Sequence, residues 1–302
     1  DFIDKVAYGG WVNDEHYSQG FFSQGEMGKH IDDPVYACKG KEFSIPYRCL
    51  YSRNISNLMM AGRNISTTHL ALSNTRVMLT CAVVGHAAGT ASAMCVSKGC
   101  FPADIYNDHI EQLKQQLLKE GAYIINYKGD DSEDLAQQAT VSSSVICLKD
   151  TSAGNKLSYH PKQVLNGYSR VINSDRNCWH PSYKADPPYF LEFNWDEAIG
   201  FNVIHITFEK REMGPDDYSI LISDDNKWKE IYSPTGKRHR RHLIGFDTEI
   251  KTEKMRIKIG EAVGICEVRI YKEPEPVVKT AQRIQRNCSI SDRNIKLPWE
   301  IN

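Results

Sequence analysis

The chain has 302 residues, with 41% hydrophobic and 25% charged side chains and a formal net charge of −1. That is enough length for about two domains with sizeable cores. The near-neutral balance gives no whole-chain attraction for nucleic acid or an anionic membrane surface, and no run reads as a membrane span or a signal peptide.

Residues 1–44 are rich in Gly, aromatic and polar side chains and show little periodicity. Gly9, Gly10 and Trp11, followed by Asp14 and His16, read as a loop presenting side chains. Ile45–Tyr51 is a short extended piece, and Ser52–Asn54 a charged turn. Leu58–Ala61 reads as a buried strand that stops at Gly62. A polar loop then carries Arg63, Asn64, Thr67, Thr68, His69 and Arg76. The helix that follows is built of small residues: Ala82, Gly85, Ala87, Ala88, Gly89, Ala91 and Ala93. A strand ending in Gly allows close approach to the backbone, and a Gly/Ala face lets a helix lie tight against a sheet or a flat ligand. Strand, glycine, polar loop and small-residue helix could form half of a dinucleotide site, or a close-packed core without a ligand.

Asp104 can cap a helix with Ile110, Leu113 and Leu117 at helical spacing, ended by Gly121. Ala122–Tyr127 is expected as a short strand. Residues 128–143 are acidic, then Ser-rich, and read as a solvated linker. From 144 to 273 the period becomes two: Tyr189–Trp195, Ile204/Ile206/Phe208, Ile220/Ile222, Met255/Ile257/Ile259 and Val268/Ile270, separated by Gly-, Pro- and Asp-rich turns. Short alternating strands of this kind predict an antiparallel β-sandwich. The run Lys237–His242 is basic and lacks interleaved aromatics, which suits a solvated hairpin tip or an anion better than nucleic acid. Residues 274–302 begin Glu-Pro-Glu-Pro and are expected as an extended tail with at most a short helix near Val277–Arg286.

Nine cysteines occur without a Cys-x-x-Cys pair or a His/Cys ligand spacing, so free thiols and no metal site are expected. Three Asn-x-Ser sequons occur, at Asn54, Asn64 and Asn287, and the first two are read as accidental.

The wording of the first segment is more specific than its composition. IPYRCLY, NLMMAGRNISTTH, TRVMLTC and GHAAGTASA, with AYGGWVNDEH upstream, resemble the C-terminal flavin-binding segment of FAD-dependent oxidoreductases of the glutathione-reductase type. The resemblance spans about residues 1–126. Leu79 stands where Pro is usual and His86 where Gln is usual. The glycine-rich Gly-x-Gly-x-x-Gly turn that seats a pyrophosphate on a helix start is absent from the chain. The chain is therefore expected to be the C-terminal part of a longer flavoenzyme, lacking an N-terminal FAD-binding segment. Alone it is expected to be inactive and to carry no stoichiometric FAD.

The resemblance implies roles. Gly62, Arg63, Asn64, Thr80, Gly85, Ala87 and Ala88 are expected to contact FAD. His16 and His69 are candidate general bases, since imidazole titrates near neutrality. Asp14 lies on the substrate side, and Arg76 would steady negative charge on the reduced flavin or an anionic substrate. Tyr159–Gly167, Trp179, Pro187–Phe193, Ile220–Trp228 and Glu267–Tyr271 resemble the discoidin, or coagulation-factor type C, galactose-binding-like jelly roll. That fold implies ligand binding at end loops. Trp179, Tyr183, His180 and Arg240 are the candidates, with Tyr159 and Trp228 behind them, for a small-molecule ligand such as a sugar or glycan.

The expected organisation is an α/β fragment (the C-terminal half of an FAD-binding fold, 1–127), a linker (128–143), an all-β jelly-roll sandwich (144–273) and a tail (274–302). The expected function is the C-terminal portion of an FAD-dependent oxidoreductase with an accessory carbohydrate-binding sandwich. The rival is a non-enzymatic glycan-binding protein joined to an inert α/β remnant. A signal peptide on the parent would make it periplasmic or secreted.

Overall fold

The computed structural model describes residues 2–12, 41–145, 159–170, 172, 177–181, 185–209, 217–225, 227–234 and 240–290, the last with side chains to 285. The chain falls into two compact units, Asp1–Gly129 and Asp130–Asn302.

In the first unit β1 (Lys5–Gly9) pairs antiparallel with β2 (Phe43–Pro46). Asp4 fixes the entry to this pair. Its carboxylate is fully buried and accepts from the Arg48 backbone N–H at 3.1 Å, from Nε at 3.0 Å and from Nη2 at 2.8 Å. Burial works against the charge, but these bonds hold the Asp4 carboxyl below its usual range. After a 3-10 turn at Tyr47–Cys49 the chain is extended through Leu58–Ala61. The expected buried strand is only a single bridge there, Tyr51 to Met59. The Leu58 carbonyl accepts from the Ser52 N–H at 2.9 Å and the Met60 N–H donates to the Leu50 carbonyl at 2.7 Å, so the segment pairs locally with the chain just before it.

A 3-10 turn at Gly62–Asn64 follows. The expected polar loop is in part a helix, α1 (His69–Thr75), because the Thr68 hydroxyl accepts from the Ala71 N–H at 3.2 Å and caps it. The small-residue helix is α2 (Met78–Lys98). Val84, Ala87, Ala88 and Ala91 bury its inner side among Val6, Ala7, Ile45, Tyr47, Ile105, Leu113 and Leu117. Contrary to the sequence reading, α2 is long and apolar enough by length and composition to cross a membrane, at mean hydropathy 1.5. Its inner side nonetheless packs in this core with Thr80 and Thr90 buried beside it.

The helix expected from Asp104 is two, α3 (Pro102–Asp108) and α4 (Ile110–Lys119), broken at His109. Asp104 is not the first cap. It sits one turn in and accepts from the Phe101 N–H at 2.8 Å. Leu113 and Leu117 are fully buried, as their spacing predicts. Ala122–Tyr127 is not a strand. Ile124 is buried and Tyr123 packs edge-on to Tyr8 at 5.0 Å, but no ladder forms, and Asn126 turns the chain at φ 52°.

The second unit begins inside the expected linker. Leu135–Gln138 is a 3-10 turn, and β3 (Thr140–Ser143) is an edge strand. Then come β4 (Tyr189–Phe208), β5 (Tyr218–Asp224), β6 (Lys227–Tyr232), β7 (Arg241–Ile259) and β8 (Ile265–Tyr271), all paired antiparallel. The sheet order is β3-β4-β7-β5-β6, with β8 on β4. All five alternating runs seen in the sequence lie in these strands.

The strands β4 and β7 stay paired from Tyr189↔Ile259 to Thr207↔Arg241, with register breaks between Asn194 and Ile199 and between Phe201 and Val203. At those breaks the sheet folds over. Tyr218 pairs with Ile259 at one end of the ladder, yet its ring lies 5.5 Å from Phe208 and 5.3 Å from His242 at the other end. Its hydroxyl meets His242 Nδ1 at 2.8 Å. Both ends of one ladder thus face each other across a core of Leu191, Phe193, Ile204, Ile206, Ile220, Ile257 and Val268, which is the jelly-roll sandwich. Burial of each such side chain stabilises by roughly 1.5–3 kcal/mol before entropy is counted.

Where a tail with at most a short helix near Val277–Arg286 is expected, a longer, 16-residue helix forms, α5 (Glu275–Ile290). Val278 and Ala281 bury its inner side, Val278 against Val203 and Tyr271. The Gln282 amide donates to the Gly245 carbonyl at 3.4 Å and to Asp247 Oδ1 at 2.8 Å. At Gly245 a Cβ would stand 2.8 Å from the Val278 carbonyl, so glycine is what admits the helix.

Candidate functional site

In the first unit the Gly62–Asn64 turn packs on α2. Gly62 has φ +89°, a left-handed value that a Cβ disfavours, so the chain can turn sharply here only with glycine. Arg63 and Asn64 are exposed, and the Asn64 amide reaches Met60 Sδ at 3.1 Å. Ser92 of α2 donates to Met59 Sδ at 3.2 Å, which ties the extended segment to the helix.

The seven residues expected at the cofactor divide. Gly62, Arg63, Asn64 and Gly85 lie at or near the surface. Thr80, Ala87 and Ala88 face the other way, into the core, at 5%, 0% and 6% exposure. The expectation that they line a cofactor is corrected on that ground, since α2 turns its outer face elsewhere. That face carries Met78, Ala82, Gly85, Gly89, Ala93 and Val96. Met78 and Val96 are 88% and 85% exposed, and a Cβ at Gly85 or Gly89 would meet nothing within 4 Å.

His69 opens α1 at an exposed position, and Arg76 closes it half-buried. The Asn74 amide donates to the Trp11 carbonyl at 3.0 Å, so the end of the β1 segment lies beside this helix. Asp14 and His16 lie outside the described residues. His86 turns to Glu120, Nε2 to Oε2 at 2.6 Å. Thr90 and Gln116 donate to the same carboxylate at 2.9 and 2.8 Å. Burial opposes the Glu120 charge, yet these bonds hold its carboxyl below the usual range.

In the second unit, Tyr159, Trp179, His180 and Arg240 gather at the end of the sandwich where β4 ends and β7 and β8 begin. Trp179 exchanges both backbone bonds with Ile265 at 2.8 Å and bridges Tyr159 on its other side. Its side chain is fully buried, with Nε1 donating to the Val145 carbonyl at 3.2 Å. No face is left to stack on a sugar, so the expectation of Trp179 as an exposed platform is corrected to a core residue. Trp228 is half-buried on β6 beneath the Arg256 guanidinium, 3.9 Å from the ring centroid. Tyr183 lies outside the described residues.

His180 is buried at 4% exposure, and its Nδ1 donates to the Pro181 carbonyl at 2.7 Å. That leaves Nε2 toward Glu209 Oε2 at 3.9 Å, under the edge of Tyr159 at 5.4 Å. Arg240 donates to the Ser169 carbonyl. Burial weakens its hold on its proton, with Arg170 acting the same way and Cys266 and Glu267 opposing. Glu209, Ser169 and Arg170 join this group without having been singled out in the sequence. Position offers one signal for Glu209, which directly follows the alternating run ending at Phe208. Among the described residues no group of three or more His, Cys, Asp or Glu could hold a metal ion.

Residues 1–117 match the FAD dependent oxidoreductase family. The matched residues thus run from β1 through most of α4. No functionally curated protein matches the chain. Similar solved structures include the family 32 CBM of C. perfringens NanJ in complex with galactose (16% identity, TM-score 0.37, covering 45% of this chain and 96% of that one). Chitosan-binding module 1 from a Paenibacillus sp. IK-5 chitosanase/glucanase is similar at 20% identity and TM-score 0.35, covering 46% and 98%. A Clostridium perfringens module, CpGH89CBM32-5, in complex with GalNAc-β-1,3-galactose, is similar at 12% identity and TM-score 0.37, covering 46% and 99%.

Proposed function

We propose that the first unit forms one wall of the flavin site of an FAD-dependent oxidoreductase, and that the sandwich is its accessory module. The observation that carries this reading is the outer face of α2 beside the Gly62 turn. A helix of mean hydropathy 1.5 leaves a small-residue apolar face uncovered, and the family match falls on that helix. A flat aromatic ring system fits such a face, because no side chain at Gly85 or Gly89 holds it off. When bound, the flavin supplies two-electron redox chemistry. Gly62, Arg63 and Asn64 would hold its ribityl–phosphate part and Gly85 the ring end. His69 would move a substrate proton, and Arg76 would balance negative charge. Flavin absorbance of the natural full-length protein tests the reading. A stoichiometric flavin spectrum supports it, and a colourless protein that still binds sugar overturns it.

A second reading concerns the sandwich alone. His180, Glu209 and Arg240 converge at one end beside the half-buried ring of Tyr159, a mixture of polar groups and an aromatic face that suits a sugar. Calorimetric titration with galactose-type sugars tests it. Binding that weakens at least tenfold in Tyr159→Ala supports this end as the site, and unchanged binding removes it.

A further inference from the structure

The C-terminus of α2 brings together two thiols for which the flavin reading has no use. Gly99 leaves the helix at φ 63°, ψ 36°, in the left-handed region. Its N–H bonds to the Val96 carbonyl at 3.4 Å, and the Cys100 N–H reaches back to the Cys95 carbonyl at 3.0 Å. This double closure turns the chain so that the side chain just past the glycine meets the one a turn before the helix end. Most helices fill those two positions with apolar groups. Here they are Cys95 and Cys100, and both side chains line one groove.

Both cysteines are half-buried and line a groove of about 560 Å³ with Met59, Val96 and Phe101. A small reagent can therefore reach them without unfolding the unit. Cys49 and Cys81 lie outside the groove, and Cys81 is turned to the Thr75 carbonyl at 3.5 Å. We propose that Cys95 and Cys100 form a redox pair that a low-molecular-weight disulfide converts to an intramolecular disulfide.

The balance is that of thiol–disulfide exchange. The Cys100 thiolate attacks one sulfur of the small disulfide, forming a mixed disulfide and releasing one thiolate. Cys95 then attacks the Cys100 sulfur and expels the second thiolate, and the two cysteine protons end on the two released thiols. The protein dithiol is oxidised by two electrons and the small disulfide is reduced by two. Burial, and then the neighbouring Cys100, pushes the Cys95 thiol up to about 11, which slows a first attack and suits Cys95 to the resolving step beside the mixed disulfide. The inference is independent of whether flavin binds.

The test equilibrates the full chain with oxidised and reduced glutathione over a range of ratios, quenches by alkylation and digests with trypsin. Lys98 lies between the two cysteines, so cleavage there leaves two peptides joined only by the disulfide. The expected result is one linked species lighter by two hydrogens, separated by dithiothreitol, while Cys49 and Cys81 remain alkylated. In Cys95→Ser the mixed disulfide should accumulate on Cys100, and in Cys100→Ser the glutathione adduct should be strongly reduced. Peptides that stay separate and alkylated at every ratio would overturn the pair. Accumulation of the adduct in Cys100→Ser but not in Cys95→Ser would overturn the assigned order of attack.

Discussion

Replacing Asp134 tests whether the acidic stretch after Gly129 is part of the sandwich. Its side chain is 3% exposed and its Oδ1 accepts from the Ala136 N–H at 3.0 Å and the Ile270 N–H at 2.9 Å. The carboxylate thereby caps the 3-10 turn and ties it to β8. Asp134→Ala leaves both donors buried and unpaired. At about 1–3 kcal/mol for each such orphan, the loss near pH 4, where the folded protein holds this carboxyl neutral, should be roughly 2–4 kcal/mol. Asp134→Asn keeps an acceptor for both bonds and near pH 4 should cost about 1 kcal/mol or less, its amide N–H₂ now facing the Gln137 amide that donates to the carboxylate at 3.4 Å.

The pH dependence adds a second readout. Burial pushes the Asp134 carboxyl up to about 6, against hydrogen bonds that pull it down. The folded state therefore holds this proton more tightly than the unfolded chain, whose value lies near 3.8. The contribution to stability is full below pH 3.8 and declines as pH rises through about 6, by roughly 3 kcal/mol in all. Asp134→Asn should flatten that slope. Urea unfolding followed by tryptophan emission is the assay, since Trp179, Trp195, Trp228 and Trp299 lie in this unit and only Trp11 in the other. An alanine variant no less stable than the asparagine one, at unchanged m, would refute the reasoning.

Trp179→Ala should destabilise the sandwich by about 3–5 kcal/mol, because it empties a fully buried site and orphans the Val145 carbonyl; an unchanged denaturant midpoint would return Trp179 to the surface. Thr207→Val should stabilise by about 1 kcal/mol in urea titrations, since the buried Thr207 hydroxyl finds no hydrogen-bond partner among the described residues and valine has the same shape. Gly85→Val should leave the melting temperature of the first unit within a degree or two, as a Cβ there meets nothing within 4 Å, while abolishing flavin retention in the natural full-length protein; retained colour would place the flavin elsewhere. Arg48→Ala should destabilise the first unit more at pH 7 than at pH 4 in thermal melts, because the Asp4 carboxyl it leaves behind is charged at the higher pH and buried; equal losses would remove Asp4 as the cause.

Periodicity carried the sequence reading wherever one face of an element meets a core. The alternation at Ile204, Ile206 and Phe208, and the helical spacing of Leu113 and Leu117, mark elements that the structure contains. It failed where burial has another cause. Asp134 sits in a run that looks solvated, and only the distant Ile270 N–H gives its carboxylate a reason to be inside. The Pro-Glu-Pro start suggested an extended tail, although Pro276 in a first turn is also a helix-start signal, and Val277, Val278, Ala281 and Ile284 follow at helical spacing. Ala122–Tyr127 has the composition of a strand and no neighbour to pair with among the described residues. At the candidate sites, residue type was legible and direction was not. Ala87 and Gly85 read alike in a string of small residues, yet two positions on a helix separate an inward from an outward side chain. Trp179 follows a polar loop, and nothing local shows that Ile265 binds its backbone on both sides.

One ladder, β4 with β7, supplies strands to both layers of the sandwich. Its partners are far apart in sequence, Tyr189 with Ile259 and Thr207 with Arg241, with β5 and β6 formed by the intervening chain. A slip of one residue would turn the core side chains of both layers outward at once, so a mispaired ladder gains nothing from either layer. Neither layer can close before distant residues have met, 34 places apart for Thr207 and Arg241 and 70 for Tyr189 and Ile259, and that chain-closure cost falls on the rate-limiting step. Refolding of this unit should therefore be slow and single-phased, with both layers gaining protection from hydrogen exchange together.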